Sequence, residues 1–129
     1  HPSSISQKAA VEAVNGPQES IEEMRVAFDA RRRYMVDRLN AISNVQCTLP
    51  QGAFYAYPDV SWFYGRQIAQ RRITDSVTLC EYLLEEGQVA CVPGAGFGTQ
   101  EHIRLSYATS MELIEQAMDR IEDALKKLG

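Results

Sequence analysis

The stretch Ile103-Arg104-Leu105-Ser106-Tyr107-Ala108 alternates apolar and polar side chains, which is typical of a β-strand with one buried face. Its bulky apolar side chains should face a core, and Arg104 should project from the opposite face. A guanidinium on a short apolar strand is unfavourable unless it meets an anion, and its planar fork fits a carboxylate bidentately. The anion is either a carboxylate of the same chain, in a purely structural ion pair, or a carboxylate of a ligand.

Helices and strands alternate along the rest of the chain. Amphipathic helices are predicted over residues 4–14, 18–42, 74–86 and 110–128. Further strands are predicted at residues 45–49, 53–57 and 89–92, the first two joined by a tight turn through Gly52. The strand-helix-strand order between Tyr57 and Val89 favours a parallel pairing. We therefore predict an α/β fold: a two-layer α/β sandwich with a short mixed sheet of three or four strands and helices packed on one side, preceded by a long helix.

Two stretches lack a clear helix or strand pattern. Residues 60–73 carry aromatic and basic side chains without a period, which predicts a loop. Residues 93–101 are rich in glycine, but no lysine follows and no helix opens directly behind, so a phosphate-binding loop is not supported. We interpret this second stretch as a tight loop that forms a pocket wall with Phe97.

The long second helix divides the chain. A length of 129 residues is enough for one domain with a core. A helix over residues 18–42 would span about 35 Å, which is more than a domain of this size needs. We therefore predict a helical segment, residues 1–44, that leads into a small α/β domain, residues 45–129. Since the first residue is His1, we expect a piece of a longer or processed protein.

Composition narrows the partners and the compartment. Lys and Arg number 13 and Asp and Glu 17, a formal net charge of −4, so we predict no nucleic-acid partner. A membrane-spanning helix needs about 20 consecutive apolar residues, and no apolar run in the chain approaches that length. We therefore predict no membrane partner. Cys47, Cys80 and Cys91 lie in apolar patterns typical of buried reduced thiols, which predicts the cytoplasm or a reducing organelle. His1 and His102 lack ligand spacing, so no metal site is predicted.

The chain resembles the small, C-terminal domain of fold-type I pyridoxal-phosphate aminotransferases of the aspartate aminotransferase group, including its aspartate/prephenate-like members. The motifs that carry the resemblance follow the family's order. They are Gly52-Ala53-Phe54-Tyr55, Tyr82-Leu83-Leu84-Glu85-Glu86, Pro93-Gly94 with Phe97-Gly98, Ile103 to Ala108, and Asp119-Arg120-Ile121. Upstream, Pro2 to Ala10 resembles the segment that follows the cofactor domain in these enzymes. The resemblance thus makes the long helix the connection between two domains.

Such enzymes hold pyridoxal 5′-phosphate through a Schiff base with a lysine. The lysines here are Lys8, Lys126 and Lys127, and none stands in the family's setting. The resemblance therefore implies that the cofactor is bound by a large domain outside this chain, and that this chain alone is inactive and holds no catalytic residue. It also implies two partners, the large domain of the same enzyme and a second subunit in a homodimer.

The resemblance gives two residues a role in substrate binding. Arg104 resembles the arginine that grips the α-carboxylate of the amino acid, and Phe54 resembles an aromatic side chain that lines the pocket beside it. For Phe54 the structural alternative is a core aromatic of a strand. For Arg104 it is an ion pair with Glu101 or Glu112 in a scaffold without a ligand.

The implied activity is amino-group transfer between aspartate and 2-oxoglutarate. The first alternative is an aspartate/prephenate aminotransferase or another amino-acid aminotransferase of the same family. An alternative from a different class is a stand-alone binding or interaction module whose open sheet face meets a protein partner.

Overall fold

The computed structural model describes all 129 residues, from His1 to Gly129. The α-helices are α1 (Ser4–Asn15), α2 (Glu19–Ala41), α3 (Ser76–Glu86) and α4 (Met111–Leu128). The strands are β1 (Tyr55–Ala56), β2 (Gln67–Ile68), β3 (Arg71–Arg72), β4 (Val92–Pro93) and β5 (Ile103–Ser106). Short 3-10 turns lie at Ser61–Phe63 and Gly94–Phe97.

The central strand of the main sheet is β5, with β1 on one side and β4 on the other. Both pairings are antiparallel, with Tyr55 opposite Ser106 and Val92 opposite Arg104. The predicted α/β class and the three-stranded sheet are confirmed, but the predicted parallel pairing is wrong and the sheet is antiparallel rather than mixed. The reason is that β5 lies between the strands before and after α3. Its short connection from β4 reverses the chain, as antiparallel neighbours require.

Two other sequence-based predictions also needed correction. The predicted strand at residues 45–49 is reduced to a single antiparallel bridge from Gln46 to Asp59, so no tight hairpin forms with β1. The stretch at residues 60–73, predicted as a loop, contains a small antiparallel hairpin of β2 and β3. Its strands are only two residues long and, apart from Ile68, polar, with Gln67 opposite Arg72, so they lack the alternation that indicates a strand.

The core lies between one face of the sheet and helices α2, α3 and α4. Ile103 and Leu105 of β5 are buried, whereas Arg104 and Ser106, which alternate with them, are not, so the predicted alternation is confirmed. Helix α2 contributes only its second half to this core, with buried Met35, Val36 and Leu39. Helix α4 contributes a full apolar stripe, which is Ile114, Met118, Ile121, Ala124, Leu125 and Leu128. Burying the isoleucine, methionine and leucine side chains among them contributes about 1.5–3 kcal/mol each.

Helix α1 and the first half of α2 lie outside this core. No residue of α1 is buried, and Ile5 is 81% exposed. Large apolar side chains of the adjoining part of α2 are also exposed, and they are Ile21, Met24 and Val26. The apolar faces of these helical segments are therefore not covered by the small α/β unit.

The turn that joins β4 to β5 is compact. The backbone N–H of Gly94 donates to the carbonyl of His102 at 2.8 Å, and the N–H of Thr99 donates to the carbonyl of Gly94 at 3.2 Å. A Cβ at Gly94 would lie 2.3 Å from the carbonyl oxygen of His102, so only glycine fits. Gly98 ends the turn in the left-handed region, with φ 84°. The turn therefore holds Phe97 in a fixed place beside β5.

We expect Gly94→Ala to lower the free energy of unfolding by about 1–3 kcal/mol, because the added methyl group must displace backbone. Gly96→Ala in the same turn is the matched control, since a Cβ there meets nothing within 4 Å. The control should stay within about 0.5 kcal/mol of the parent. Urea unfolding of the two variants measures both values, and equal midpoints would contradict the close approach at Gly94.

Candidate anion-binding site

Arg104 projects from the face of β5 opposite the core and is half-buried. Its guanidinium forms no hydrogen bond and no ion pair within the chain. The basic residues that do form ion pairs are Arg25, Arg32, Arg33, Arg38, Arg71 and Lys126. The predicted structural alternative, a pair of Arg104 with Glu101 or Glu112, is therefore wrong. The positive charge of Arg104 has no opposite charge of its own chain in contact with it.

Two aromatic rings contact the guanidinium instead. Its central carbon lies 4.3 Å from the ring centroid of Tyr55 and 4.4 Å from that of Phe97. Each cation–π contact contributes about 0.5–1 kcal/mol at an exposed site and more where water is excluded. The N–H donors of the group have no acceptor in the chain, although an arginine fork can serve a carboxylate with two parallel hydrogen bonds. We call Arg104, Tyr55 and Phe97 the Arg104 cluster.

Phe54 lies beside this cluster and not in the core. Its side chain is 40% exposed, and its ring pairs with that of Tyr55 at 4.4 Å between centroids. Its backbone carbonyl accepts a hydrogen bond from the N–H of Tyr107 at 2.9 Å, which continues the pairing of β1 with β5. The structural alternative for Phe54, a core aromatic, is thus wrong. Its ring contacts Tyr55, which in turn contacts the guanidinium of Arg104.

Two residues of the site, Tyr55 and Tyr57, were not predicted from the sequence. Tyr55 belongs to the quoted Gly52-Ala53-Phe54-Tyr55 motif, but its contact with Arg104 arises from the pairing of β1 with β5. Tyr57 follows β1, and its ring contacts those of Phe97 and His102. It is stacked on the His102 ring, with 4.8 Å between the ring centroids. The strand register would have indicated Tyr55 if the partner strand had been known. No local pattern pointed to Tyr57.

The surroundings of the site are partly apolar. Val92 on the neighbouring strand is opposite Arg104, and its side chain is partly exposed, as is that of Phe97. A cation on such a surface is less well hydrated than a free arginine, which strengthens its attraction for an anion. The arrangement can therefore bind and orient a planar anion such as a carboxylate.

The chain places no suitable lysine for covalent catalysis at this site. Lys8 lies on the exposed helix α1. Lys126 forms an ion pair with Glu122 at 2.6 Å, and the hydrogen bond that it donates to the Glu122 carboxylate raises the pKa of Lys126 above its usual range. An amine nucleophile needs a lowered pKa, so this pairing acts in the opposite direction.

The three cysteines are free thiols. Burial raises the pKa of Cys80 to about 11 and that of Cys91 to about 12, and it also raises the pKa of Cys47. They therefore act as small apolar side chains. No group of three or more His, Cys, Asp or Glu side chains is arranged to hold a metal ion, and none of the helices has the length and apolarity that crossing a membrane requires.

Comparison with known proteins shows that the chain is similar to aminotransferases over nearly its whole length. A family model described as aminotransferase class I and II matches residues 1–121. The aspartate aminotransferase of Bacillus sp. (strain YM-2) is 47% identical over 127 residues, which is 98% of this chain and 31% of that protein. The aspartate/prephenate aminotransferase of Cereibacter sphaeroides is 46% identical over 123 residues, 95% of this chain and 31% of that protein.

A solved structure shows the same fold. The crystal structure of the aspartate aminotransferase from Rhizobium meliloti superposes with a TM-score of 0.92 at 42% identity. The match covers 98% of this chain and 32% of that one. The chain therefore spans about a third of the length of the relatives it matches.

We expect Phe54→Ala to lower the free energy of unfolding by less than about 1.5 kcal/mol, because it removes one ring pair and little buried surface. Phe63 is 2% exposed and serves as the comparison. Phe63→Ala should lower the free energy of unfolding by about 3–5 kcal/mol. Chemical unfolding of both variants tests the difference. Equal losses would place Phe54 in the core and remove it from the site.

Proposed function

The chain belongs to the aminotransferase class I and II family, and we propose that it forms the substrate-carboxylate-binding domain of a pyridoxal-phosphate-dependent aminotransferase. The observation that carries this proposal is the Arg104 cluster. Its guanidinium is held by two rings, and no carboxylate of the chain competes for its N–H groups. The α-carboxylate of an amino acid is an anion of matching shape.

The proposed activity of the whole enzyme is amino-group transfer between aspartate and 2-oxoglutarate. Relatives named aspartate aminotransferase at 42–47% identity support this choice. A second candidate is an aspartate/prephenate aminotransferase, which the 46% identical relative of that name favours. The stand-alone interaction module has no comparable support, because the family match runs through residues 1–121.

Pyridoxal 5′-phosphate supplies the electron sink that amino-group transfer requires. The residues of this chain do not fit the cofactor. Lys8 is on a fully exposed helix, Lys126 is paired with Glu122, and Lys127 follows it near the end of α4. We therefore propose that the cofactor is held by a large domain outside this chain, and that this chain has no activity alone.

The chain's own contribution is binding and orientation. Two parallel hydrogen bonds from Arg104 to the α-carboxylate would fix both the position and the direction of the substrate. Phe54 would cover one side of the bound molecule and keep water from it. Such positioning can lower the reaction barrier by several kcal/mol, because the geometry is set before the chemical step.

The large domain has a surface to dock on. The apolar side chains of α1 and of the first half of α2 are exposed in this chain, and they include Ile5, Val14 and Met24. Exposed apolar surface of this extent is typical of an interface. The family resemblance supports a homodimer for the full-length enzyme, and the three free thiols support a reducing compartment such as the cytoplasm. The net charge of −4 supports the absence of a nucleic-acid partner.

We expect Arg104→Lys, made in the full-length enzyme, to lower kcat/KM for aspartate by about 10- to 100-fold, because lysine keeps the charge but loses the fork. The matched control is Arg66→Lys, since Arg66 also lies over a ring, that of Trp62 at 3.8 Å. Steady-state kinetics of the control should equal those of the parent. Full activity of Arg104→Lys would exclude the proposed carboxylate contact.

The substrate proposal has its own test. The purified full-length enzyme should show the visible absorbance of bound pyridoxal phosphate and should turn over aspartate with 2-oxoglutarate. We expect a higher kcat/KM for aspartate as amino donor to 2-oxoglutarate than for glutamate as donor to prephenate. The reverse order would select the aspartate/prephenate activity, and no transfer with either pair would contradict the proposed function.

A further inference from the structure

We propose that Phe97 is a positioning residue for Arg104, and that a hydrogen bond between Tyr57 and Thr99 fixes Phe97 in that role. This inference rests on the proposed function of Arg104 as the carboxylate-binding residue. It adds two side chains, Tyr57 and Thr99, that do not touch the guanidinium and act on it through the ring of Phe97.

The place of Phe97 needs an explanation beyond packing. Its side chain is 50% exposed, so it adds little to the core. It ends the 3-10 turn Gly94–Phe97, which is fastened to the rest of the fold by backbone hydrogen bonds and by the N–H of Ala95 to the hydroxyl of Ser76 at 3.3 Å. What the ring does contact is Arg104, with 4.4 Å between the guanidinium carbon and the ring centroid.

Tyr57 connects this turn to the strand on the far side of β5. Its hydroxyl and that of Thr99 lie 2.5 Å apart in a hydrogen bond, directly after the turn. Its ring meets that of Phe97 edge to face, with 6.4 Å between centroids and 84° between planes. On its other side it is stacked on His102 at 4.8 Å and 10°. The ring of Tyr57 is therefore stacked on His102 and supports the ring of Phe97.

The consequence concerns the direction of the guanidinium. An arginine side chain has several rotatable bonds, and fixing them when the substrate binds opposes binding. Tyr55 and Phe97 restrict the group before a ligand arrives, and each ring is supported by a different aromatic neighbour, Phe54 and Tyr57 respectively. A loosened Phe97 would leave the charge in place and lose the preset orientation.

The experiment uses the full-length enzyme with its cofactor and two readouts. One is the dissociation constant of maleate, an unreactive dicarboxylate, and the other is kcat/KM for aspartate. We expect Phe97→Leu to raise the maleate dissociation constant by about fivefold, because a loosened guanidinium must then be ordered when the ligand binds. Phe97→Tyr keeps the ring and should restore parent-like binding.

The role of the hydrogen bond between Tyr57 and Thr99 is tested with isosteric variants. Tyr57→Phe and Thr99→Val each remove the same hydrogen bond, and each should weaken maleate binding by about two- to fivefold. Combined with Phe97→Leu, Tyr57→Phe should add no further loss, because it acts through that ring. Tyr64→Phe is the matched control. The Tyr64 hydroxyl donates to the carbonyl of Gln100 at 2.5 Å, on the same connection but away from Phe97.

Each outcome decides the matter. Parent-like binding by Phe97→Leu and Tyr57→Phe, with weakened binding by Arg104→Lys, would overturn this inference and leave the proposed function intact. Parent-like binding by Arg104→Lys as well would overturn both. Equally weakened maleate binding in Tyr57→Phe and Tyr64→Phe would show a general effect on the segment between β4 and β5. It would also overturn the role of the hydrogen bond between Tyr57 and Thr99. Weakened binding by Arg104→Lys, Phe97→Leu, Tyr57→Phe and Thr99→Val, with parent-like binding by Phe97→Tyr and Tyr64→Phe, would support the inference.

Discussion

A half-buried guanidinium without a carboxylate of its own is the constraint around which the open face of this domain is arranged. Withdrawing a cation from water is unfavourable, and a neighbouring acid is the usual remedy. Here the rings of Tyr55 and Phe97 contact the guanidinium in place of an acidic side chain. Aromatic faces stabilise the charge without occupying its hydrogen-bond donors, whereas an acidic neighbour would have used them. Arg104 is thereby kept available for an external anion, at the expense of some stability of the domain alone.

The antiparallel arrangement of the sheet explains how so small a unit builds this site. Because β5 is central, both of its edges receive a partner, and each partner brings side chains to one side of Arg104. Phe54 and Tyr55 arrive with β1, while Val92 and the turn that bears Phe97 arrive with β4. A parallel pairing of the two flanking strands would have placed β5 at an edge and left Arg104 with neighbours on one side only.

The sequence could predict what depends on neighbouring residues. The alternation at residues 103–107 indicated the direction of Arg104, and glycine-rich residues 93–101 indicated a tight turn bearing Phe97. What it could not indicate depends on pairing across the chain: Tyr55 meets Arg104 only because β1 pairs with a strand some fifty residues away, at Ser106. The predicted hairpin at residues 45–57 failed for a related reason. Gln46 pairs with Asp59, which lies beyond the second predicted strand, so the two stretches are not joined by a tight turn.

The two exposed features of the chain have one physical origin. The face around Arg104 and the apolar sides of α1 are both left uncovered by the small α/β unit, and helix α2 joins α1 to the core of that unit. The second half of α2 is fixed in the core by Met35, Val36 and Leu39, while its first half extends beyond it. Helix α2 contacts β1, which pairs with β5, so a body that packed on the first half of α2 would be joined to β5 through these elements. If the proposed large domain packs on that first half, a movement of the small α/β unit about this helix would change the distance between Arg104 and the large domain.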